Sequence, residues 1–187
     1  MTRLECLSAV YDHLREFAVV TIMGGVAAEL YSLGHRPNFF YLNHSMGLAS
    51  SVGLGLALCK PERKVFVLDG DGSLLMNLGS LATTARYAPP NLVHVVFDNQ
   101  QLQAGGGLPT ATATGADLAA IARAAGIHDV SSPADVDAFA TAVEDALSGD
   151  RHSFIAVKVE TTGPALSPTE IHMLENRFEF ARAMRSR

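Results

Sequence analysis

Two polar clusters follow apolar runs that have the character of buried strands. Residues 64–68 are followed by Asp69-Gly70-Asp71-Gly72-Ser73, and residues 92–97 by Asp98-Asn99, so that Asn99 stands 28 positions after Asp71. Parallel strands joined by a crossover helix bring such ends to one edge of a sheet, where open α/β folds bind ligands. We therefore expect Asp71 and Asn99 to face each other.

The chemistry that this pair suits is the binding of a hard cation. A carboxylate and an amide oxygen are ligands that Mg²⁺ prefers, and Mg²⁺ commonly joins a protein to phosphate oxygens. Gly70 and Gly72 let the backbone approach a phosphate, and Ser73 with the first amides of the next helix can donate hydrogen bonds to it. The sequence thus suggests magnesium with a diphosphate, while the alternative is a Gly-Asp-Gly that is only a turn.

Apolar runs and helical patterns alternate along the whole chain and would position these residues. The strand patterns cover residues 18–22, 39–42, 64–68, 92–97, 127–130 and 154–159. The helical patterns cover residues 2–17, 26–33, 46–58, 74–85, 117–125, 133–147 and 168–184. This alternation predicts an α/β fold with a doubly wound, mostly parallel six-stranded sheet and helices on both faces, in a single domain spanning 1–187.

The first helix has its own signals. Thr2 and Glu5 predict a capping box, and the apolar face is expected to consist of Leu4, Leu7, Val10, Tyr11 and Leu14.

Composition excludes several classes of protein. The 187 residues are 48% hydrophobic and 18% charged with a net charge of −5, which argues against a nucleic-acid binder. Cys6 and Cys59 lack metal or redox spacing and are expected to be reduced thiols in a cytoplasmic protein. We expect neither a signal peptide nor a membrane span, because the apolar stretches are too short.

The motifs resemble those of enzymes that use thiamin diphosphate (ThDP), in which a Gly-Asp-Gly is closed further along the chain by an Asn. The whole chain is similar to the small ThDP-binding (β) subunit of sulfopyruvate decarboxylase and to its relative phosphonopyruvate decarboxylase. The resemblance is carried by residues 45–55, 69–79 and 98–99 with Gly105, Gly106 and Thr110. It implies that the domain is the diphosphate-binding (PP) domain, with ThDP and Mg²⁺ as cofactors.

The resemblance also implies roles for individual residues. Magnesium would be held by Asp71, Asn99 and the backbone carbonyl of Gln101. Met46 would support the bent form of ThDP, and the carbonyl of His44 would receive its pyrimidine amino group. The further residues expected at the cofactor are Gly24, Gly25, Ser45, Gly70, Gly72, Ser73 and Leu102.

Several of these positions have two interpretations. Gly24-Gly25 either brings amides to the diphosphate or only forms a strand-to-helix turn. The ring of His44, where related proteins commonly carry glycine, either approaches the substrate or packs. Residues 100–115 form a long Gly-rich segment that could close over the substrate.

Three other features are interpreted as structural or as departures from the family. Gly53 and Gly55 do not fit a dinucleotide fingerprint and are expected to allow close helix packing. His94 is expected to be a core histidine. Ala27-Ala28 stands where related subunits tend to carry a polar or basic pair, which suggests a less anionic substrate.

The function implied is that of one subunit of a two-component 2-oxo acid decarboxylase. In such enzymes an activating glutamate belongs to a pyrimidine-binding domain, for which this chain is too short. We therefore expect a hetero-oligomer with a pyrimidine-binding (α) subunit, activity only in that assembly, and residues 46–58 at the interface. The alternatives are a split carboligase similar to acetolactate synthase, and a non-catalytic diphosphate-binding scaffold.

Overall fold

The computed structural model describes residues 1–160 and 171–185. Its strands are β1 (Ala18–Thr21), β2 (Phe39–Tyr41), β3 (Val65–Gly70), β4 (Leu92–Asp98), β5 (Gln101–Leu102), β6 (Leu108–Pro109), β7 (Asp129–Ser131) and β8 (Ser153–Lys158). Six of them form one parallel sheet in the order β2-β1-β3-β4-β8-β7, and β5 pairs with β6 in a small antiparallel hairpin. The predicted doubly wound parallel sheet is confirmed.

The helices are α1 (Arg3–Val10), α2 (Gly25–Ser32), α3 (Ala49–Cys59), α4 (Asp71–Leu75), α5 (Gly79–Tyr87), α6 (Leu118–Ala124), α7 (Val136–Ser148) and α8 (Met173–Ala183). Short 3-10 turns cover His13–Glu16, Gln103–Gly105 and Ala111–Thr114. The start of the predicted last helix, residues 168–170, lies outside the described residues. Among the described residues, no helix combines the length and the apolar character that crossing a membrane requires.

Several predicted helices differ from those observed; the helix predicted over residues 133–147, for example, begins at Val136. The first helix has the expected capping box at Thr2 but ends at Val10, and the side chain of Asn38 holds the following 3-10 turn by donating to the carbonyls of Leu14 and Phe17. The helix predicted from residue 46 begins at Ala49. The helix predicted over residues 74–85 is divided, because hydrogen bonds to the third preceding carbonyl replace the α-helical pattern around Met76.

The two faces of the central strands pack against different helices. Phe97 of β4 contacts Phe139 of α7 on one face, with ring centroids 5.9 Å apart. On the other face α3 lies so close to β3 that a Cβ on Gly53 would overlap the side chain of Val67. The close packing predicted for the two glycines of α3 therefore holds at Gly53, whereas Gly55 faces open space.

Helix α8 covers the edge strand β2. The side chain of Asn176 accepts a hydrogen bond from the Tyr41 N–H (3.0 Å) and donates one to the Phe39 carbonyl (2.7 Å). Asn176 is buried, so one amide side chain replaces a neighbouring strand for both backbone groups.

The strand order places a topological switch point between β1 and β3. The chain leaves β1 for β2 on one side of it and returns to β3 on the other. The crevice beyond the carboxyl ends of β1 and β3 is the position where open α/β sheets bind ligands.

Candidate functional site

A cleft opens at this switch point and gathers most of the residues predicted from the sequence. Ten of the twelve predicted residues line it, namely Gly24, Gly25, Met46, Gly70, Asp71, Gly72, Ser73, Asn99, Gln101 and Leu102. The other two, His44 and Ser45, are not among its lining residues. His44 is exposed with a positive φ of 54°, and the Ser45 hydroxyl donates to the carbonyl of Asn43 at 3.0 Å.

Asp71 begins α4 directly after β3 and is 2% exposed. Its Oδ2 accepts a hydrogen bond from the Thr110 hydroxyl (2.6 Å), and the Thr112 hydroxyl oxygen lies 3.3 Å away. Burial raises the pKa of Asp71 above its ordinary value, the nearby Asp98 carboxylate adds to this increase, and the Thr110 hydroxyl acts against it. The carboxylate forms no ion pair with any described residue.

Asp98, at the end of β4, is a second buried carboxylate, but its negative charge is paired with a lysine. Lys158 of the adjacent strand β8 approaches its Oδ2 to 2.6 Å, and the Thr112 hydroxyl donates to its Oδ1 at 2.7 Å. Thr112 therefore lies between the two carboxylates, and only Asp98 has a cationic partner among the described side chains. Asp71 is left as a buried negative charge at the wall of the cleft, which is the environment that a bound cation would stabilise.

The residues after β4 turn into the hairpin of β5 and β6. Asn99 is 7% exposed, and its side-chain oxygen accepts from the Gln101 N–H at 3.2 Å. Gln101 stands opposite Pro109 in the hairpin. In the adjacent pair, Gln100 and Thr110, the Thr110 N–H donates a hydrogen bond to the Gln100 carbonyl at 3.0 Å. Gln101 and Pro109 are therefore a non-hydrogen-bonded pair, so the Gln101 carbonyl points away from the partner strand.

The turn that carries Met46 is fixed against α4. The Gly47 N–H donates to the Ser73 hydroxyl at 3.0 Å, and the Asn77 side chain donates to the Gly47 carbonyl at 2.9 Å. Gly47 has a φ of +85°, which disfavours any residue with a side chain. These two bonds hold Met46 at the cleft, where its side chain is 36% exposed.

The opposite wall of the cleft is the N-terminus of α2. Gly24, with a φ of +85°, caps the helix, and the Cβ that Gly24 lacks would lie 3.4 Å from the Cβ of Ala104. On the other side, a Cβ on Gly72 would lie 2.7 Å from the Leu102 side chain. The segment that follows Asn99 thus contacts both walls. The positive φ favours glycine at position 24, and a side chain at position 72 would displace the Leu102 side chain.

Sequence reasoning missed Arg3, which also lines the cleft. Leu4 was predicted on the apolar face of α1 but is 40% exposed, and the buried face is Arg3, Cys6, Leu7 and Val10. The signal that could have found it is the helical spacing, because Arg3 precedes Cys6, Leu7 and Val10 by three, four and seven positions. Thr112, in a Gly- and Thr-rich loop, gave no such signal.

Other expectations have simpler outcomes. His94 is buried in β4 with its Nε2 3.4 Å from Oδ2 of Asp69, in agreement with a core histidine. Ala27 and Ala28 are buried in α2 and do not line the cleft. Cys6 and Cys59 are both free, with Cys6 buried and Cys59 exposed. The described residues contain no cluster of three or more His, Cys, Asp or Glu side chains with metal-binding geometry.

The sequence profile described as "Thiamine pyrophosphate enzyme, C-terminal TPP binding domain" matches residues 20–157 of the chain. Over 160 residues the chain is 40% identical to sulfopyruvate decarboxylase subunit beta of Methanothermobacter thermautotrophicus, a match that covers 86% of this chain and 83% of that protein.

A longer relative and a solved structure are also similar. Over 177 residues the chain is 39% identical to phosphonopyruvate decarboxylase of Streptomyces viridochromogenes, which covers 91% of this chain but 44% of that protein. The structure of benzoylformate decarboxylase from Polynucleobacter necessarius superposes with a TM-score of 0.72 at 21% identity, covering 88% of this chain and 34% of the other. This last likeness concerns the fold alone.

Proposed function

Because the chain belongs to the thiamine pyrophosphate enzymes through their C-terminal TPP-binding domain, we propose that it supplies the diphosphate half of a decarboxylase active site. In this proposal residues 1–187 act as a single ThDP-binding (PP) domain that requires Mg²⁺. The observation that carries the proposal is that Asp71 and Asn99, from the ends of two neighbouring strands, line one cleft at the switch point of the sheet.

The donor atoms at this cleft fit Mg²⁺. Asp71 is a buried carboxylate without a cationic partner among the described residues, and Asn99 adds an amide oxygen. The Gln101 carbonyl points away from its hairpin partner and is the third oxygen. Oxygen ligands around an uncompensated carboxylate suit Mg²⁺, which would take its remaining ligands from the diphosphate and water.

The glycines at the cleft fit a diphosphate. Gly24 and Gly25 begin α2, whose first amides have no partner within the helix and can donate to phosphate oxygens. The Ser73 hydroxyl accepts from Gly47 and keeps its own proton for donation. On the other wall, a Cβ on Gly70 would meet no atom within 4 Å, so the backbone is open there.

When bound, ThDP supplies the centre that adds to the carbonyl of a 2-oxo acid and stores the electrons released with CO₂. The residues of this chain bind and orient it. Met46, on the turn fixed by Ser73 and Asn77, would support the bent cofactor, and the His44 carbonyl would receive the pyrimidine amino group. Leu102 and Gln103 would exclude water above the cleft.

A partner subunit is part of the proposal. The relative from Methanothermobacter is named as a beta subunit, and this chain spans less than half of the phosphonopyruvate decarboxylase that it matches. Exposed apolar side chains beside the cleft offer a docking surface: Met46, Leu48 and Met76, which we call the apolar rim. The partner would bring the pyrimidine-binding site and the activating glutamate.

The favoured substrates are sulfonated or phosphonated pyruvates, in line with the names of the relatives. To test this, the tagged chain is purified with its co-purifying partner, and CO₂ release from sulfopyruvate, phosphonopyruvate and pyruvate is measured with ThDP and Mg²⁺. We expect decarboxylation by the complex, an aldehyde as the product, and little activity from the isolated chain.

Each other result contradicts one part of the proposal. An acyloin product would indicate a carboligase. Absence of ThDP binding by the complex in calorimetric titration would indicate a scaffold. Equal rates for the isolated chain and the complex would refute the shared active site.

A further inference from the structure

Arg3 is a buried cation at the wall of the cleft and has no role in the function proposed above. It stands in the first turn of α1 and is 5% exposed. Its Nε and Nη2 contact the Glu29 carboxylate of α2 at 3.0 and 2.7 Å, which is the two-pronged geometry of a strong arginine–carboxylate pair. This pair fixes the plane of the guanidinium group and the direction of its remaining N–H groups.

The third nitrogen of the guanidinium group is unused. Nη1 of Arg3 makes no hydrogen bond to any described residue. The one side-chain nitrogen or oxygen of the described residues that is both fully enclosed and without a partner is Nε2 of His152. Nη1 therefore retains accessible surface, and Arg3 lines the cleft.

The surroundings of Arg3 are those expected for a diphosphate. A Cβ on Gly25 would overlap Nη2 of Arg3, so the guanidinium lies directly against the first turn of α2. The Gln103 side chain, from the segment that crosses the cleft, is 3.5 Å from the same Nη2. Arg3 and the residues that begin α2 thus line the same cleft as Asp71 and Asn99.

We propose that Arg3 binds an anionic oxygen of the cofactor's diphosphate through Nη1. The inference rests on the proposed function, since it names a further residue for the same site. Glu29 neutralises the charge of Arg3, so the contribution is an oriented, charge-assisted hydrogen bond and not a gain in net charge. The acid group of the substrate offers the same chemistry, but the contact between Arg3 and Gly25 favours the diphosphate end.

The test compares ligands that differ by one phosphoryl group. Arg3→Met is combined with Glu29→Gln, because removal of Arg3 alone would leave a buried, uncompensated carboxylate. The tagged full-length variant is purified from its native host with any partner subunit, and its thermal unfolding midpoint is measured. Dissociation constants are then determined for ThDP, thiamin monophosphate and inorganic pyrophosphate, each with Mg²⁺.

We expect the double variant to bind ThDP and pyrophosphate about tenfold or more weakly, as for loss of a hydrogen bond to a charged group. Thiamin monophosphate should be affected less, so that the preference for ThDP over the monophosphate decreases. Glu29→Gln alone keeps Arg3 and should retain most of that preference. Arg36→Met is the matched control, because Arg36 pairs with Asp12 away from the cleft and its loss should leave all three constants unchanged.

The remaining outcomes overturn the inference. An equal loss of affinity for ThDP and the monophosphate would indicate that Arg3 only stabilises α1 against α2. Unchanged ThDP binding with a raised KM for the 2-oxo acid would assign Arg3 to the substrate. If the unaltered protein with its partner does not bind ThDP, the proposed function fails together with this inference. If the unaltered protein binds ThDP and the double variant binds it equally well, only the inference about Arg3 is refuted.

Discussion

Asp71 illustrates how one side chain can be unfavourable for stability and suited to function. It is almost fully buried and accepts a hydrogen bond from the Thr110 hydroxyl, yet the nearby Lys158 pairs with its neighbour Asp98. The increase in the pKa of Asp71 reflects this burial and the repulsion from Asp98. A bound cation would remove both penalties.

We predict that Asp71→Asn abolishes Mg²⁺-dependent binding of ThDP without destabilising the protein. The amide has nearly the same shape but carries no charge, so the unfolding midpoint without ligand should be equal or higher. The stabilisation by Mg²⁺ and ThDP should disappear. Thermal unfolding with and without the ligands measures both effects, and Asp129→Asn, far from the cleft, serves as the control. Full retention of ligand stabilisation would contradict the assignment of Asp71.

We predict that His152 makes the stability of the fold depend on pH. It is 6% exposed, and its Nε2 has no partner among the described residues. Burial, together with His94, lowers the pKa of His152 from 6.5 to about 4. The unfolded chain therefore takes up a proton near pH 6.5, where the folded protein does not. Stability should fall as the pH decreases from 6.5 to 4, by about 3 kcal/mol in total.

His152→Leu should remove this component of the pH dependence. Leucine fills similar space, cannot be protonated and leaves no unpaired nitrogen. Between pH 6.5 and 4, the free energy of unfolding of the variant should therefore decrease less than that of the unaltered protein. Denaturant titrations at several pH values measure the difference. His128→Leu, at an exposed position, should keep the slope of the unaltered protein. An identical slope in His152→Leu would show that other groups cause the dependence.

The position of helix α3 on the sheet depends on a glycine, Gly53. Gly53 lies against Val67 of β3, with no room for a Cβ, while Gly55 on the same helix meets nothing within 4 Å. The Met46 turn directly precedes α3 in the chain.

The two glycines of α3 give a matched pair of variants. Gly53→Ala should destabilise the protein by about 1–3 kcal/mol, because the new methyl group forces α3 away from Val67. Gly55→Ala should stabilise it by about 0.5–1 kcal/mol, because alanine loses less conformational entropy in a helix. Free energies of unfolding from denaturant titration check both. Equal effects at the two positions would contradict the packing described for Gly53.

At the scale of the whole molecule, one side of the cleft presents apolar surface to solvent. Leu48 and Met76 of the apolar rim are 47% and 52% exposed, and Ser51, Gly55 and Leu58 continue the exposed side of α3. The predicted interface over residues 46–58 agrees with this exposure, although its occupation by a partner stays a prediction. Apolar surface at the mouth of a site is where a second subunit could complete it.

We predict that Leu48→Lys prevents assembly with the partner while the chain stays folded. A lysine at this exposed position costs little stability in the isolated chain, but its charge would be buried in a complex. Co-purification and analytical size exclusion measure assembly, and circular dichroism confirms folding. Tyr87→Lys, at an exposed apolar residue at the opposite edge of the sheet, should assemble normally. Normal assembly of Leu48→Lys would place the interface elsewhere.

Local patterns in the sequence determined the sheet, the order of its elements and the two halves of the cleft. Strand-like runs alternate with helical patterns, and parallel strands must place their carboxyl ends together, so the proximity of Asp71 and Asn99 follows from chain order. The glycines and the serine after β3 were recognisable because turn and helix-start chemistry is local. The ends of helices were less well predicted, since the turns beside them are held by contacts between residues distant in sequence, such as Asn38 with Leu14 and Asn77 with Gly47.

Only the tertiary structure decided which charges are compensated. Arg3 and Glu29 are 26 positions apart, Asp98 and Lys158 are 60 apart, and neither pairing is encoded in a local pattern. Asp71 is left without a cation, and Arg3 with an unused nitrogen, because helices and strands distant in sequence meet at this edge of the sheet. The sequence therefore determined where the cleft lies, and the packing of the elements decided its electrostatics.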